Sequence, residues 1–237
     1  MSIKNSIILC TYNEVHHIKK TVEQIQNTIE NLELIIVDDN STDGTKDIIN
    51  EINKDNKFKV IIREKSRGLA SAFLRGVIES SGDNIGWLDT NMIESIPKFK
   101  EMTETLKLNN DIVILSRYVE GGDDKRNPIR SLSSKYFNIL CRFILRLPIK
   151  DLTSGIFIMK RNVINEVTFL GYGHGEFFLE FLYNVHQKGF KVKEIPYIQK
   201  RDDDIPNSTT APNLIRFFYL GLFYILRIFV TLLRKKN

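Results

Sequence analysis

Between residues 6 and 115 the chain alternates short β-branched runs with helix-length segments, and no other feature constrains its fold as much. Strands are expected at residues 6–10, 34–37, 59–62, 84–88 and 111–115, each followed by a helical pattern. Parallel neighbours need long crossovers, and crossover helices bury their apolar sides on the sheet. The pattern therefore calls for an α/β fold, a mostly parallel sheet with helices on both faces. Such sheets bind ligands at the carboxyl ends of their strands.

Those ends are rich in polar groups. Thr11, Tyr12, Asn13 and Glu14 follow the first strand, Asp38 and Asp39 close the second, and Asp89, Thr90 and Asn91 follow the fourth. No Gly-x-Gly-x-x-Gly follows the first strand and no Walker loop occurs, which removes the main support for a dinucleotide or P-loop site. Two adjacent carboxylates on an apolar strand are costly to bury without partners. A nucleobase edge or ribose hydroxyls would supply those partners, while Ser41 or Thr42 is placed to cap the next helix. Asp89 and Asn91, two residues apart, can point the same way and share one hard cation, Mg²⁺ or Mn²⁺, with substrate phosphates. Such a pair also makes turns. Arg117, Arg130 and Arg201 are candidates for gripping phosphate oxygens, although each taken singly is more often a solvated or structural charge. Arg67 and Gly68 open a helix after the third strand, where backbone N–H groups are available. The four histidines have no zinc-ligand spacing, and Ser154 is not in a nucleophile elbow.

With 237 residues, 42% apolar and 27% charged, the chain is ordinary globular material of one main domain. Its two cysteines cannot build a disulfide scaffold, and its N-terminal apolar run is too short for a signal-peptide core. Both features suggest a cytoplasmic location. The formal net charge of +5 is concentrated late in the chain. A helix is expected over residues 128–147, with Ile129, Leu132, Tyr136, Phe143 and others at helical spacing among Arg130, Lys135, Arg142 and Arg146. An ordinary helix with a solvated basic face and a helix lying near anionic lipid both fit that pattern. Residues 201–212 read as a loop. Residues 214–233 have the length of a membrane span, but Arg227 interrupts them, and Arg216, Arg227 and Arg234 recur within about 20° of one stripe. Because an arginine at a bilayer centre costs roughly 2.5–3.5 kcal/mol, an amphipathic helix lying in the membrane interface is expected rather than a spanning one. Packing on the protein's own core is the other alternative.

Taken in order, IILCTYNE at residues 7–14, VDDNSTDGT at 37–45, RGLASA at 67–72, LDTN at 88–91, SRYVEGG at 116–122, DLTSG at 151–155 and GFKVKEIP at 189–196 resemble the family 2 glycosyltransferases. Within them the resemblance is to the dolichol-phosphate or polyprenyl-phosphate mannose synthases. It implies a GT-A fold in residues 1–210, followed by a membrane-associated helix in 211–237. It also implies inverting transfer of a hexose, mannose from GDP-mannose, to a polyprenyl monophosphate at the cytoplasmic face of a membrane. A separate membrane subunit is a possible partner; nucleic acid is not expected. Tyr12, Glu14 and Asp39 would meet the base and ribose with Asp38 and Thr11 in support, Asp89 and Asn91 would hold the cation, and Arg117, Arg130 and Arg201 would face donor and acceptor phosphates. Asn91 stands where the family has a second Asp, and Ile93 where it often has Gln, so weaker cation binding is expected. A UDP-sugar donor, a glycan acceptor or a weakened nucleotide-binding homologue are the alternatives.

Overall fold

The computed structural model describes residues 3–173, 175–201 and 214–234. The five expected strands are present as β1 (Asn5–Thr11), β2 (Leu32–Asp38), β3 (Lys59–Ile62), β4 (Asn84–Trp87) and β5 (Ile112–Ser116). Helices α1 (Ile18–Thr28), α2 (Thr45–Ile52), α3 (Leu69–Glu79) and α4 (Lys98–Lys107) connect them. Two further strands join the sheet, β7 (Phe157–Lys160) and β8 (Val192–Pro196), giving the order β3-β2-β1-β4-β7-β5-β8. β7 runs antiparallel to both β4 and β5, and every other pair is parallel. Two short segments, β6 (Asp123–Asp124) and β9 (Ile198–Gln199), pair in parallel beside the main sheet.

Strand alternation divides the interior into two cores. On β1, Ile8 faces a cluster containing Phe73, Trp87, Phe157 and Phe178, while Ile7 and Leu9 face one containing Phe99, Met102 and Leu115. The first cluster is aromatic: Phe157 stacks on Phe178 at 5.2 Å and meets Phe73 edge-on at 5.5 Å. α3 lies so close to β1 that a side chain at Gly76 would collide with Ile8.

The remaining helices are α5 (Pro128–Leu145), α6 (Arg161–Glu166), α7 (Glu176–Gln187) and α8 (Leu214–Arg234). α5 is capped by Asn127, whose side chain accepts from Ile129 N. It ends at Leu145, two residues before the expected boundary, and Arg146 follows in the left-handed conformation. It buries Ser134, Asn138, Cys141 and Leu145, yet leaves Leu132, Tyr136 and Phe143 exposed, Phe143 at 83%. α8 packs beside α5, where Phe137 and Tyr224 meet edge-on at 5.6 Å, and also against α7. Among the described residues no helix is long and apolar enough to cross a membrane. The loop expected at 201–212 lies, after Arg201, outside the described residues, as do the domain boundary at 210 and His174.

Candidate active site

The polar strand ends come together at the carboxyl edge of β1, β2 and β4. Asp38 is fully buried, and its carboxylate accepts from Thr11 Oγ1 at 2.8 Å, Ser41 N at 2.8 Å and Ser41 Oγ at 2.6 Å. It thereby fixes the turn after β2. Ser41 passes this order on, since its hydroxyl accepts from Asn13 N. Neither Ser41 nor Thr42 caps α2, contrary to expectation; the N-cap is Gly44, and Asp43 just before it accepts from Thr45 N at 3.0 Å and from Val15 N at 3.1 Å. Carboxylate oxygens accept N–H groups more strongly than a hydroxyl does, and Ser41 is already committed to Asp38.

Asp39 is held differently. One oxygen accepts from Arg63 Nε at 2.6 Å and the other from Gly68 N at 2.8 Å. Gly68, at φ 131°, therefore gives its N–H to Asp39 instead of leaving it available. Arg63 also donates to Ser71 Oγ and Gly68 O, locking the start of α3 to the end of β2. Arg63 was missed in the sequence, although it directly follows β3 and so lies at another strand end. Above this lattice Arg67 lies over the Tyr12 ring at 4.6 Å and donates to its hydroxyl at 3.1 Å. Both are exposed and present a flat cationic and aromatic plate beside Asp39.

Glu14 and Asp89 lie close enough for their charges to interact. Burial, reinforced by the charge of Asp89 and opposed by a hydrogen bond with Thr90, pushes the Glu14 carboxyl up to about 7. The same burial, with the charges of Asp89 and Asp39, raises the Cys10 thiol well above its usual range, which leaves it inert as a nucleophile. Thr21 Oγ1 donates to Thr90 O at 2.5 Å and pins the Asp89–Asn91 turn to α1. Asn91 Oδ1 is buried with no hydrogen-bond partner, an oxygen in want of a proton donor or cation. Among the described residues no group of three or more His, Cys, Asp or Glu side chains gathers around a metal position. One carboxylate plus an amide oxygen, completed by substrate phosphates, is nevertheless the kind of oxygen set Mg²⁺ accepts, so Asp89 and Asn91 fit such an ion.

The three arginines do not share one environment. Arg117 is buried and bonds Asp151 through Nε at 2.8 Å and Nη2 at 2.7 Å, with Thr153 Oγ1 at 2.7 Å from Nη2. Burial works against its charge, but Asp151 holds the guanidinium protonated well above the ordinary arginine range. This engagement differs from the expected reach toward phosphate. Arg117 instead donates to Gln199, which also accepts from Tyr197 on the wall of a neighbouring cavity. That cavity, of about 900 Å³, is lined by Lys98, Lys125, Tyr197, Lys200 and Arg201 and by Glu94, which lies 3.6 Å from the Lys200 ammonium. Arg201 is thus on an open cationic wall, while Arg130 sits half-buried in the first turn of α5.

The fold, a seven-stranded sheet with polar side chains gathered at one strand edge, is of the GT-A type. The model of the family described as glycosyl transferase family 2 matches residues 6–168, and the chain belongs to that family. A dolichol-phosphate mannosyltransferase of Pyrococcus furiosus is 32% identical over 225 residues, covering 92% of this chain and 63% of its own length. A polyprenol monophosphomannose synthase of Mycolicibacterium smegmatis is 26% identical over 201 residues, covering 80% of this chain and 75% of its own. The chain thus spans less than two thirds of the Pyrococcus relative. Glucosyl-3-phosphoglycerate synthase from Mycobacterium tuberculosis, solved with Mn²⁺, UDP and glucosyl-3-phosphoglycerate, superposes with a TM-score of 0.73 over 97% of this chain and 80% of that one. At 17% identity that likeness is one of fold.

Proposed function

We propose that this chain transfers a hexose, mannose from GDP-mannose, to a polyprenyl monophosphate at a membrane face. The names of the two mannosyl-transferring relatives support the sugar and acceptor. The observation that carries the reading is the exposed apolar side of α5, which begins three residues after Lys125 on the wall of the cationic cavity. A water-soluble donor and a lipid-borne phosphate need that arrangement, one site open to water with an apolar surface beside it. In this reading residues 1–210 are the catalytic domain and 211–237 the membrane-associated helix.

The donor's nucleoside lies against Tyr12, Arg67, Glu14 and Asp39, which Asp38, Thr11 and Gly68 hold in place. Its diphosphate reaches Asp89 and Asn91. A Mg²⁺ or Mn²⁺ ion bound there would offset the charge that builds on the leaving diphosphate. The acceptor phosphate needs no general base, because its second pKa of about 6 leaves an ionised oxygen at neutral pH. That oxygen attacks the anomeric carbon in line as the bond to the diphosphate breaks, which inverts configuration. Arg201 and Arg130 orient the acceptor phosphate, and Arg117 acts from below by fixing Gln199 and Tyr197.

A panel of labelled nucleotide sugars, incubated with polyprenyl phosphate in vesicles and Mg²⁺ or Mn²⁺, tests the reading. Metal-dependent label in the lipid phase from GDP-mannose, lost in Asp89→Ala, is expected. Label from a UDP-sugar would correct the donor, and nucleotide binding without lipid transfer from any donor would overturn the reading.

A further inference from the structure

α8 meets the catalytic domain through ionic contacts. Its inner side consists of Tyr224, Arg227, Ile228 and Thr231, and Arg227 is buried, 5% exposed. The Arg227 Nε lies 2.7 Å from one oxygen of Glu180, and Arg234 Nη1 donates to the other at 2.7 Å. Glu180 belongs to α7 and is itself buried. Tyr172 completes the clamp: its ring lies 4.3 Å from the Arg227 guanidinium, its carbonyl accepts from Arg227 Nη2, and its hydroxyl accepts from Arg234 Nη2 at 2.6 Å. The arginine row that the sequence suggests for lipid headgroups is thus, at Arg227 and Arg234, turned toward the protein. The side chain of Arg216 lies outside the described residues.

This has a geometric consequence. With Arg227 and Arg234 held inward, residues at positions i, i+4, i+7 and i+11 on the opposite side are Leu222, Leu226, Phe229 and Leu233, and all four are exposed. The same rotation carries the Tyr224 hydroxyl to Gly175, where any side chain would collide with it, at the start of α7. Burial, and then the charge of Glu176, keeps that hydroxyl protonated. Apolar packing alone would leave the rotation of such a helix poorly specified, since a wide arc of its surface is apolar. A buried carboxylate receiving two arginines specifies one rotation, the use to which buried ion pairs are best suited.

We infer that Glu180 is a positioning residue for the acceptor: it fixes the rotation of α8 so that the apolar row faces the bilayer and Tyr224 stays seated at Gly175. The inference rests on the membrane reading above, and the test separates the two. Full-length Glu180→Gln, its conservative partner Glu180→Asp, and a Glu180→Leu/Arg227→Leu double variant are compared with wild type. The double variant removes the buried pair, and Arg234, partly exposed, keeps its bond to Tyr172, so it covers the case in which Glu180→Gln fails to fold. Readouts are GDP and UDP binding by calorimetry, binding to phosphatidylglycerol–phosphatidylcholine vesicles, and KM for vesicle-embedded polyprenyl phosphate against KM for a short-chain, water-soluble one.

The expected result is nucleotide binding within about twofold of wild type, with vesicle binding weakened and KM for the embedded acceptor raised by about tenfold or more. KM for the soluble acceptor stays put, and Glu180→Asp recovers part of the loss. A folded Glu180→Gln or double variant that binds vesicles and uses the embedded acceptor like wild type overturns the inference alone. Wild-type protein that ignores vesicles overturns the membrane reading and this inference with it.

Discussion

Arg117 and Asp151 meet fork to fork, two parallel N–H···O bonds of 2.8 and 2.7 Å, with a third bond at 3.0 Å from the Arg117 backbone N–H to the same carboxylate. This pair ties the end of β5 to the loop before β7, and through Thr153 it reaches Asn138 of α5. A buried charge left alone is expensive. Asp151→Ala is therefore expected to cost roughly 3–5 kcal/mol of stability. That corresponds to a drop in melting temperature of roughly 6–20 °C for a chain of this size. Arg117→Lys, which keeps the charge but loses the fork, should fall between wild type and Asp151→Ala. Equal melting curves for Asp151→Ala and wild type by calorimetry would contradict this account.

The orphaned Asn91 Oδ1 leads to a gain-of-affinity prediction. Asn91→Asp adds a charge and an oxygen where the cation is proposed to sit, and ligand charge tunes such sites. Mg²⁺-dependent binding of a nucleoside diphosphate should tighten by about tenfold, equivalent to ~1.4 kcal/mol. Without divalent cation the same variant should bind the nucleotide more weakly than wild type, because two carboxylates then face a diphosphate. Calorimetry with and without chelator reads both arms; identical curves for the two proteins would place the cation elsewhere.

The strands that carry these residues were legible because their β-branched runs are bounded by polar strand-end clusters, as at residues 34–37 and 59–62. β7 was not: Phe157–Lys160 is a four-residue run, and its antiparallel place between β4 and β5 is set by its partners. Asp38, Asp39 and Asp89 stood out as carboxylates on apolar strands. Arg63 did not, since an arginine after a strand looks like any surface charge until Asp39 is seen to accept from it. The arginine stripe of α8 was visible as a stripe. Its direction was not, because Glu180, which receives it, lies on another helix far back in the sequence.

Away from the site, Glu33 ties the amino ends of β1 and β2 to the loop before β4. Burial opposes its ionisation, but Ser6, the N–H and hydroxyl of Ser81, and Lys4 outweigh it and hold the carboxyl well below its ordinary value of 4.5. Because the folded value is depressed, the stabilisation is present in full above pH 4.5 and is lost as pH falls toward the folded value. Glu33→Gln should therefore melt below wild type at pH 7, with the gap narrowing as pH drops below 4.5. A gap that stays constant from pH 7 to pH 3, or widens on acidification, would refute this linkage.

The exposed rows of α5 and α8 make the sharpest prediction about location. Phe143 is 83% exposed and Leu226 59%, so neither contributes much to the folded domain. Each would gain roughly 1.5–3 kcal/mol on full burial in an apolar phase. Lys135 of α5 and Arg146 just after it, both exposed, would add attraction to anionic headgroups. Phe143→Glu/Leu226→Glu should weaken binding to anionic vesicles by at least about tenfold, since it removes two apolar contacts and adds two charges of the wrong sign. Melting temperature and nucleotide affinity should stay at wild-type values. Vesicle sedimentation alongside calorimetry decides the matter: if the double variant sediments with vesicles as wild type does, the apolar rows serve another surface, and the acceptor must reach the cationic cavity by a different route.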